Sequence, residues 1–87
     1  MTKIDAVWQD VNNTPFPTNV LADAVALDVR AKHCVDAFLS GGGALKGKER
    51  QALQACLQEM RKMNPSLVGD AQVYFGKLYR LCSLMDD

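Results

Sequence analysis

The chain has 87 residues and carries ten basic and ten acidic side chains, so its formal net charge is zero. This length allows one domain with a modest core, and the charge balance argues against strong non-specific binding to nucleic acid or to anionic membranes. No apolar run approaches the ~20 residues of a membrane span, and the polar N-terminal segment does not match a secretory signal, which predicts a cytoplasmic protein with no membrane partner.

The first predicted helix is short, and its apolar residues recur at the spacing of one helical face: Ile4, Val7, Trp8 and Val11. Pro15 and Pro17 prevent this helix from continuing. We expect residues 1–19, a short helix followed by a proline-rich loop, to cover one end of the fold. Phe16 is expected to act as a plug over that end.

The second predicted helix is the longest. Thr18 or Asn19 is a suitable N-cap, and Gly41 is a suitable C′ residue after the last turn. The residues between them form an apolar seam with alternating spacings of four and three: Val20, Ala24, Leu27, Ala31, Cys34 and Phe38. Other apolar residues widen this surface beyond one stripe: Leu21, Val25, Val29 and Leu39. A helix with more than one apolar face is typical of packing against two neighbours.

A third helix is predicted from about Lys46 to Met63, where Asn64 and Pro65 stop it. Gly69 then makes a break plausible before a fourth helix from Asp70 to about Met85. The apolar seam of the third helix contains Leu53, Cys56, Leu57 and Met60. The apolar face of the fourth contains Ala71, Tyr74, Phe75, Leu78, Leu81, Cys82 and Met85.

These four helical stretches, joined by short loops and without a convincing strand, predict an all-α fold. Short connections favour antiparallel neighbours, so we expect a small compact bundle of about four helices. The prediction is one domain over residues 1–87, with residues 20–85 as its helical core.

The glycine-rich segment SGGGALKGKER raises the question of a nucleotide site, because Gly42 to Lys48 fits the G-x-x-x-x-G-K core of a phosphate-binding loop. However, Glu49 stands where that loop needs Ser or Thr to bind Mg²⁺, and a helix precedes the loop in place of a β-strand. We therefore interpret the segment as a joint, in which Gly41 ends one helix and Gly42 and Gly43 reverse the chain. Lys46, Lys48 and Arg50, at the start of the third helix, remain weak candidates for an anion site.

The cysteines, Cys34, Cys56 and Cys82, are odd in number and widely spaced, which is typical of reduced thiols in a cytosol. Each lies on the apolar side of a different helix, so the three could approach one another, but the short paired spacing of a structural zinc site is absent. We expect small buried apolar side chains, with no metal and no cofactor. His33 points about 100° away from Cys34 on the helix and does not form a catalytic pair with it. With no acid–base pair of carboxylates either, we predict that the chain is not an enzyme.

Binding functions remain. Apolar residues make up 48% of the chain, and surplus apolar surface in a small bundle is either exposed or shared with another chain. We expect a non-enzymatic protein-interaction module of the inhibitor, adaptor or regulatory type that acts as a homodimer. Its first candidate surface is the aromatic side of the fourth helix: Tyr74, Lys77, Tyr79 and Arg80. Its second is the off-seam side of the second helix: Leu21, Val25 and Val29.

The alternative hypothesis is a small helical regulator that binds nucleic acid. Residues 44–87 carry seven basic and five acidic groups, and Arg61 and Lys62 could contact phosphates. Two features count against it. The basic residues are scattered, and the loop after Phe38 is longer than the tight turn of a helix-turn-helix motif.

Overall fold

The computed structural model describes residues 3–18 and 20–86 and contains four α-helices within them. They are α1 (Lys3–Asn13), α2 (Ala22–Ser40), α3 (Gly47–Met63) and α4 (Gly69–Asp86). A 3-10 turn over Asn64–Ser66 joins α3 to α4. The prediction of an all-α bundle is confirmed, since the described part of the chain has no strand.

The core lies around α4, which packs against all three other helices, while α2 and α3 also pack against each other. Val11 is 1% exposed, so α1 contributes to the core through its contact with α4 as well as covering the bundle. The largest fully buried side chains come from all four helices: Tyr74, Phe75, Leu53, Met60, Leu78, Leu81, Val11, Val35, Cys56 and Cys82. No described helix combines the length and the apolar character that crossing a membrane requires.

The start of α2 differs from the prediction. Its N-cap is Leu21 in an extended conformation (φ −69°, ψ 157°), and no side chain caps the helix. The carbonyl of Leu21 accepts the backbone N–H groups of Ala24 and Val25 at 3.0 and 3.2 Å. The prediction of Thr18 as N-cap is wrong, because α2 begins only at Ala22 and Leu21 is its N-cap. The other predicted cap, Asn19, lies outside the described residues.

The end of α2 is a Schellman motif. Gly43 N–H donates to the Phe38 carbonyl at 2.9 Å, and Gly42 N–H donates to the Leu39 carbonyl at 3.3 Å. This geometry makes Gly42 the C′ residue, with φ +71°. The prediction of Gly41 as C′ is therefore wrong by one residue, since Gly41 is the C-cap and has φ −88°. Gly41 is constrained by space, because a Cβ there would lie 2.7 Å from the Ala44 carbonyl oxygen.

Candidate protein-interaction surface

The outward side of α2 carries an apolar surface that none of the other described helices covers. We call it the outer stripe and define it as Ala22, Val25, Ala26 and Val29, all of them exposed. Val25 is 42% and Val29 is 62% exposed. At 100° per residue the four side chains span an arc of about 100° on the side of α2 opposite its buried seam.

Two of the charged side chains that flank the outer stripe have partners within the protein. Arg30 Nη1 lies 2.7 Å from Glu59 Oε2, which connects α2 to α3. Lys32 Nζ lies 3.2 Å from Asp28 Oδ2, and Asp28 is buried. These two contacts leave the apolar side chains of the stripe exposed.

Leu21 belongs to a different surface from the other two predicted residues of α2. It is 79% exposed at the N-cap and borders a groove of about 320 Å³ between α2 and α3. The apolar wall of this groove also includes Leu27, Met63 and Leu67. Val25 and Val29 thus lie together on the outer stripe, while Leu21 lies at the end of the helix.

The aromatic candidate on α4 is not accessible, because Tyr74 is 1% exposed. Its hydroxyl donates to Asp28 Oδ1 at 2.5 Å, a bond that joins α4 to α2. Burial raises the pKa of Tyr74 above its ordinary value, and the hydrogen bond to Asp28 raises it further. The prediction that Tyr74 contacts a partner is incorrect for this fold, since its ring and hydroxyl are used inside the bundle.

The loop after α1 packs over this buried tyrosine. The rings of Phe16 and Tyr74 meet edge to face with centroids 5.1 Å apart, and Phe75 lies 6.3 Å from Phe16. Lys32 Nζ lies 6.0 Å from the centroid of the Phe16 ring. Phe16 remains 38% exposed, so it occupies the position expected of a plug and keeps one edge in solvent.

The other predicted residues of α4 do not form one surface. Tyr79 is half-buried and accepts a hydrogen bond from Arg61 Nε at 2.8 Å, which lowers the pKa of its hydroxyl. Lys77 Nζ lies 3.2 Å from Asp10 Oδ1 and connects α4 to α1. Arg80 is exposed. These contacts give Lys77 and Tyr79 roles inside the chain.

Three of the seven basic side chains in residues 44–87, the stretch considered for nucleic-acid binding, have partners within the protein. They are Arg50, Arg61 and Lys77. These contacts lie at both ends of α3 and between α4 and α1, whereas phosphate recognition requires a basic patch or stripe on one face.

The start of α3 holds a carboxylate where the sequence suggested an anion site. Lys46 N–H donates to Glu49 Oε1 at 3.2 Å, as in one half of a capping box. Arg50 points away and donates through Nη2 to the Asp86 carbonyl at 3.1 Å, while Lys46 and Lys48 are exposed. The geometry therefore does not support the candidate anion site, because a negative side chain already interacts with the helix N-terminus.

The three thiols meet in the core. Cys34 and Cys56 lie close enough to influence each other's pKa, and all three cysteines are free and buried. Burial raises the pKa of Cys34 to about 11 and that of Cys82 to about 12, with neighbouring thiols adding to the effect. Within the described residues no group of His, Cys, Asp or Glu side chains has the arrangement needed to hold a metal ion.

Comparison with known proteins gives no match to a protein family, to a curated protein or to a solved structure. Function must therefore be argued from the surfaces described above.

Sequence reasoning missed the bond between Asp28 and Tyr74. A signal was present, because Asp28 falls on the same side of α2 as Ala24 and Ala31, and a buried carboxylate needs a polar partner.

Proposed function

We propose that this chain is a non-enzymatic protein-interaction module of the inhibitor, adaptor or regulatory type. In this proposal it acts in the cytoplasm as a homodimer that pairs through the outer stripe of α2. One observation carries the proposal: the stripe is exposed and apolar on a helix whose opposite side is fully packed.

The outer stripe is not needed for the internal packing of the bundle. α2 already contacts α3 and α4 through its buried side, including Leu27 at 4% and Ala31 at 0% exposure. Covering the stripe with another chain would gain roughly 25 cal/mol per Å² of apolar surface removed from water. The small side chains of Ala22 and Ala26 would let a second helix approach closely.

A reducing compartment such as the cytoplasm suits the interior of the protein. All three cysteines are thiols in the core, and structural disulfides are rare in the cytosol, where thiols are kept reduced.

The test is the mass of the full chain in solution, measured by light scattering across the micromolar range. We expect the wild-type mass to approach that of two chains as concentration rises. Val29→Lys should give the mass of one chain, since a lysine would be buried without a partner charge in the paired stripe. Gln54→Lys, which adds the same charge at an exposed position of α3, is the matched control and should behave as wild type. A wild-type mass of one chain at every concentration would contradict the homodimer.

A further inference from the structure

We infer that the second copy packs on α2 in the antiparallel direction and in one defined register. This inference rests on the homodimer proposed above and adds its geometry. The two-fold axis would cross α2 at the level between residues 27 and 28. An interface of this kind uses the same surface on both chains and must therefore be self-complementary.

The spacing of the outward residues defines the register. Ala22, Ala26, Val29 and His33 are separated by four, three and four residues and are all exposed, which is the a/d spacing of a coiled coil. In the antiparallel pair Ala26 would face the partner's Val29, and Ala22 would face the partner's His33. A small side chain would then oppose a larger one in each layer, as close packing of two helices requires. The next position of this repeat is Asp36, so the apolar seam ends after His33.

The charges beside the seam complement each other in this register. Asp23 and Arg30 occupy the same flank of the seam, seven residues apart. Antiparallel packing would bring Asp23 against the partner's Arg30, twice by symmetry. Asp23 is exposed and has no salt bridge within residues 3–18 and 20–86. Arg30 contacts Glu59 through Nη1, and its side chain is still 50% exposed, so its other N–H groups are available to a second carboxylate.

Parallel packing would lose both kinds of complementarity. Each seam residue would then face its own copy, so Ala26 would meet the partner's Ala26 and His33 the partner's His33. On the flanks, Val25 would lie near the partner's Arg30, and Asp23 would face no basic side chain. The exposed surface of α2 therefore favours the antiparallel pair.

Charge reversal tests the register with the full chain. Asp23→Arg alone and Arg30→Asp alone should each raise the dimer dissociation constant about tenfold or more, because each places two like-charged pairs across the interface. An equimolar mixture of the two variants should form heterodimers close to wild-type affinity, since both pairs are then opposite in charge. Asp70→Arg is the matched control, because it reverses an exposed acid in the first turn of α4 and should leave dimerisation unchanged. Circular dichroism of each variant checks that it is folded.

Cysteine cross-linking tests the direction. In the antiparallel pair the two copies of residue 22 lie about 16 Å apart along the helix axis, at 1.5 Å per residue. Ala22→Cys alone and His33→Cys alone should therefore give no cross-linked dimer under mild oxidation, whereas a mixture of the two variants should give one. The native cysteines are buried and should not compete.

The outcomes separate the inference from the proposed function. Rescue in the charge-reversed mixture together with cross-linking only in the cysteine mixture supports the antiparallel register. A wild-type dimer whose affinity neither charge reversal changes, or which cross-links through Ala22→Cys alone, overturns the register and leaves the homodimer standing. A wild-type chain that is monomeric throughout overturns both.

Discussion

The helices α2 and α3 are alike on their inner sides and different on their outer sides. Both bury an apolar seam, which includes Leu27 and Ala31 on α2 and Leu53 and Met60 on α3. The exposed side of α3 is mainly polar or charged: Lys48, Arg50, Gln51, Gln54, Gln58, Glu59, Arg61 and Lys62. The exposed side of α2 carries the apolar outer stripe. Because one apolar side is enough to fold α3 into the bundle, the second apolar side of α2 is surplus to folding, which supports the homodimer that we propose.

The largest expected effect tests whether the inner sides are equivalent. Leu27→Ala in α2 and Leu53→Ala in α3 each remove most of a buried side chain. Leu27 is 4% exposed and Leu53 is 0% exposed. Each should lower the free energy of unfolding by about 2–5 kcal/mol, measured by urea denaturation at one fixed protein concentration. Val29→Ala, on the outer stripe, is the control and should change the stability of the monomer far less.

A Leu27→Ala variant that loses almost no stability would contradict the view that the inner sides of α2 and α3 are equally well packed. α2 would then be loosely attached, and its exposed valines would reflect weak packing of the whole helix instead of a binding surface.

A smaller effect tests how well the inner side of α2 excludes water. Cys34 has a pKa of about 11 in the folded chain because it is buried, whereas an unfolded thiol ionises near 8.5. The protonated thiol is favoured in the folded state, so its contribution to stability is complete below pH ~8.5 and is lost as pH rises toward 11. We expect Cys34→Ala to lose less stability than wild type between pH 8.5 and 11 in parallel urea titrations. If the free energy of unfolding changes with pH equally in the two proteins, water reaches the seam of α2.

The smallest effects concern the loop where α2 ends and α3 begins. Gly42→Ala should cost about 1–2 kcal/mol, because φ is +71° and an L-residue is strained there. The added Cβ meets no atom within 4 Å, so the loss comes from the backbone alone. Lys48→Ala, on the polar outer side of α3, should change stability by less than about 0.5 kcal/mol. Thermal denaturation of both variants measures the difference, and a large loss for Lys48→Ala would give that side of α3 a role that we do not assign to it.

Periodicity in the sequence was enough to predict four helices and most of the core, because each helix has one continuous apolar side. The exposed positions of Val25 and Val29 also followed from their places off the seam of α2. Periodicity placed Tyr74 on the apolar face of α4 but could not decide whether it packs in the core or contacts a partner, because that depends on how many neighbours surround α4. It failed at the start of α2 as well, where Thr18 has the residue type of an N-cap but lies in a loop that Phe16 attaches to the core.

The packing of α1 against α4 has a consequence for synthesis of the chain. The contact between Asp10 and Lys77 joins the first of the described helices to the last, so α1 has no docking site until α4 has left the ribosome. At about 5–20 residues per second this delay is on the order of several seconds. During that interval Ile4, Val7 and Trp8, which later pack against the core, are exposed to other chains. Incorrect association of these apolar side chains is therefore most favoured after α1 has been synthesised and before α4 has been synthesised.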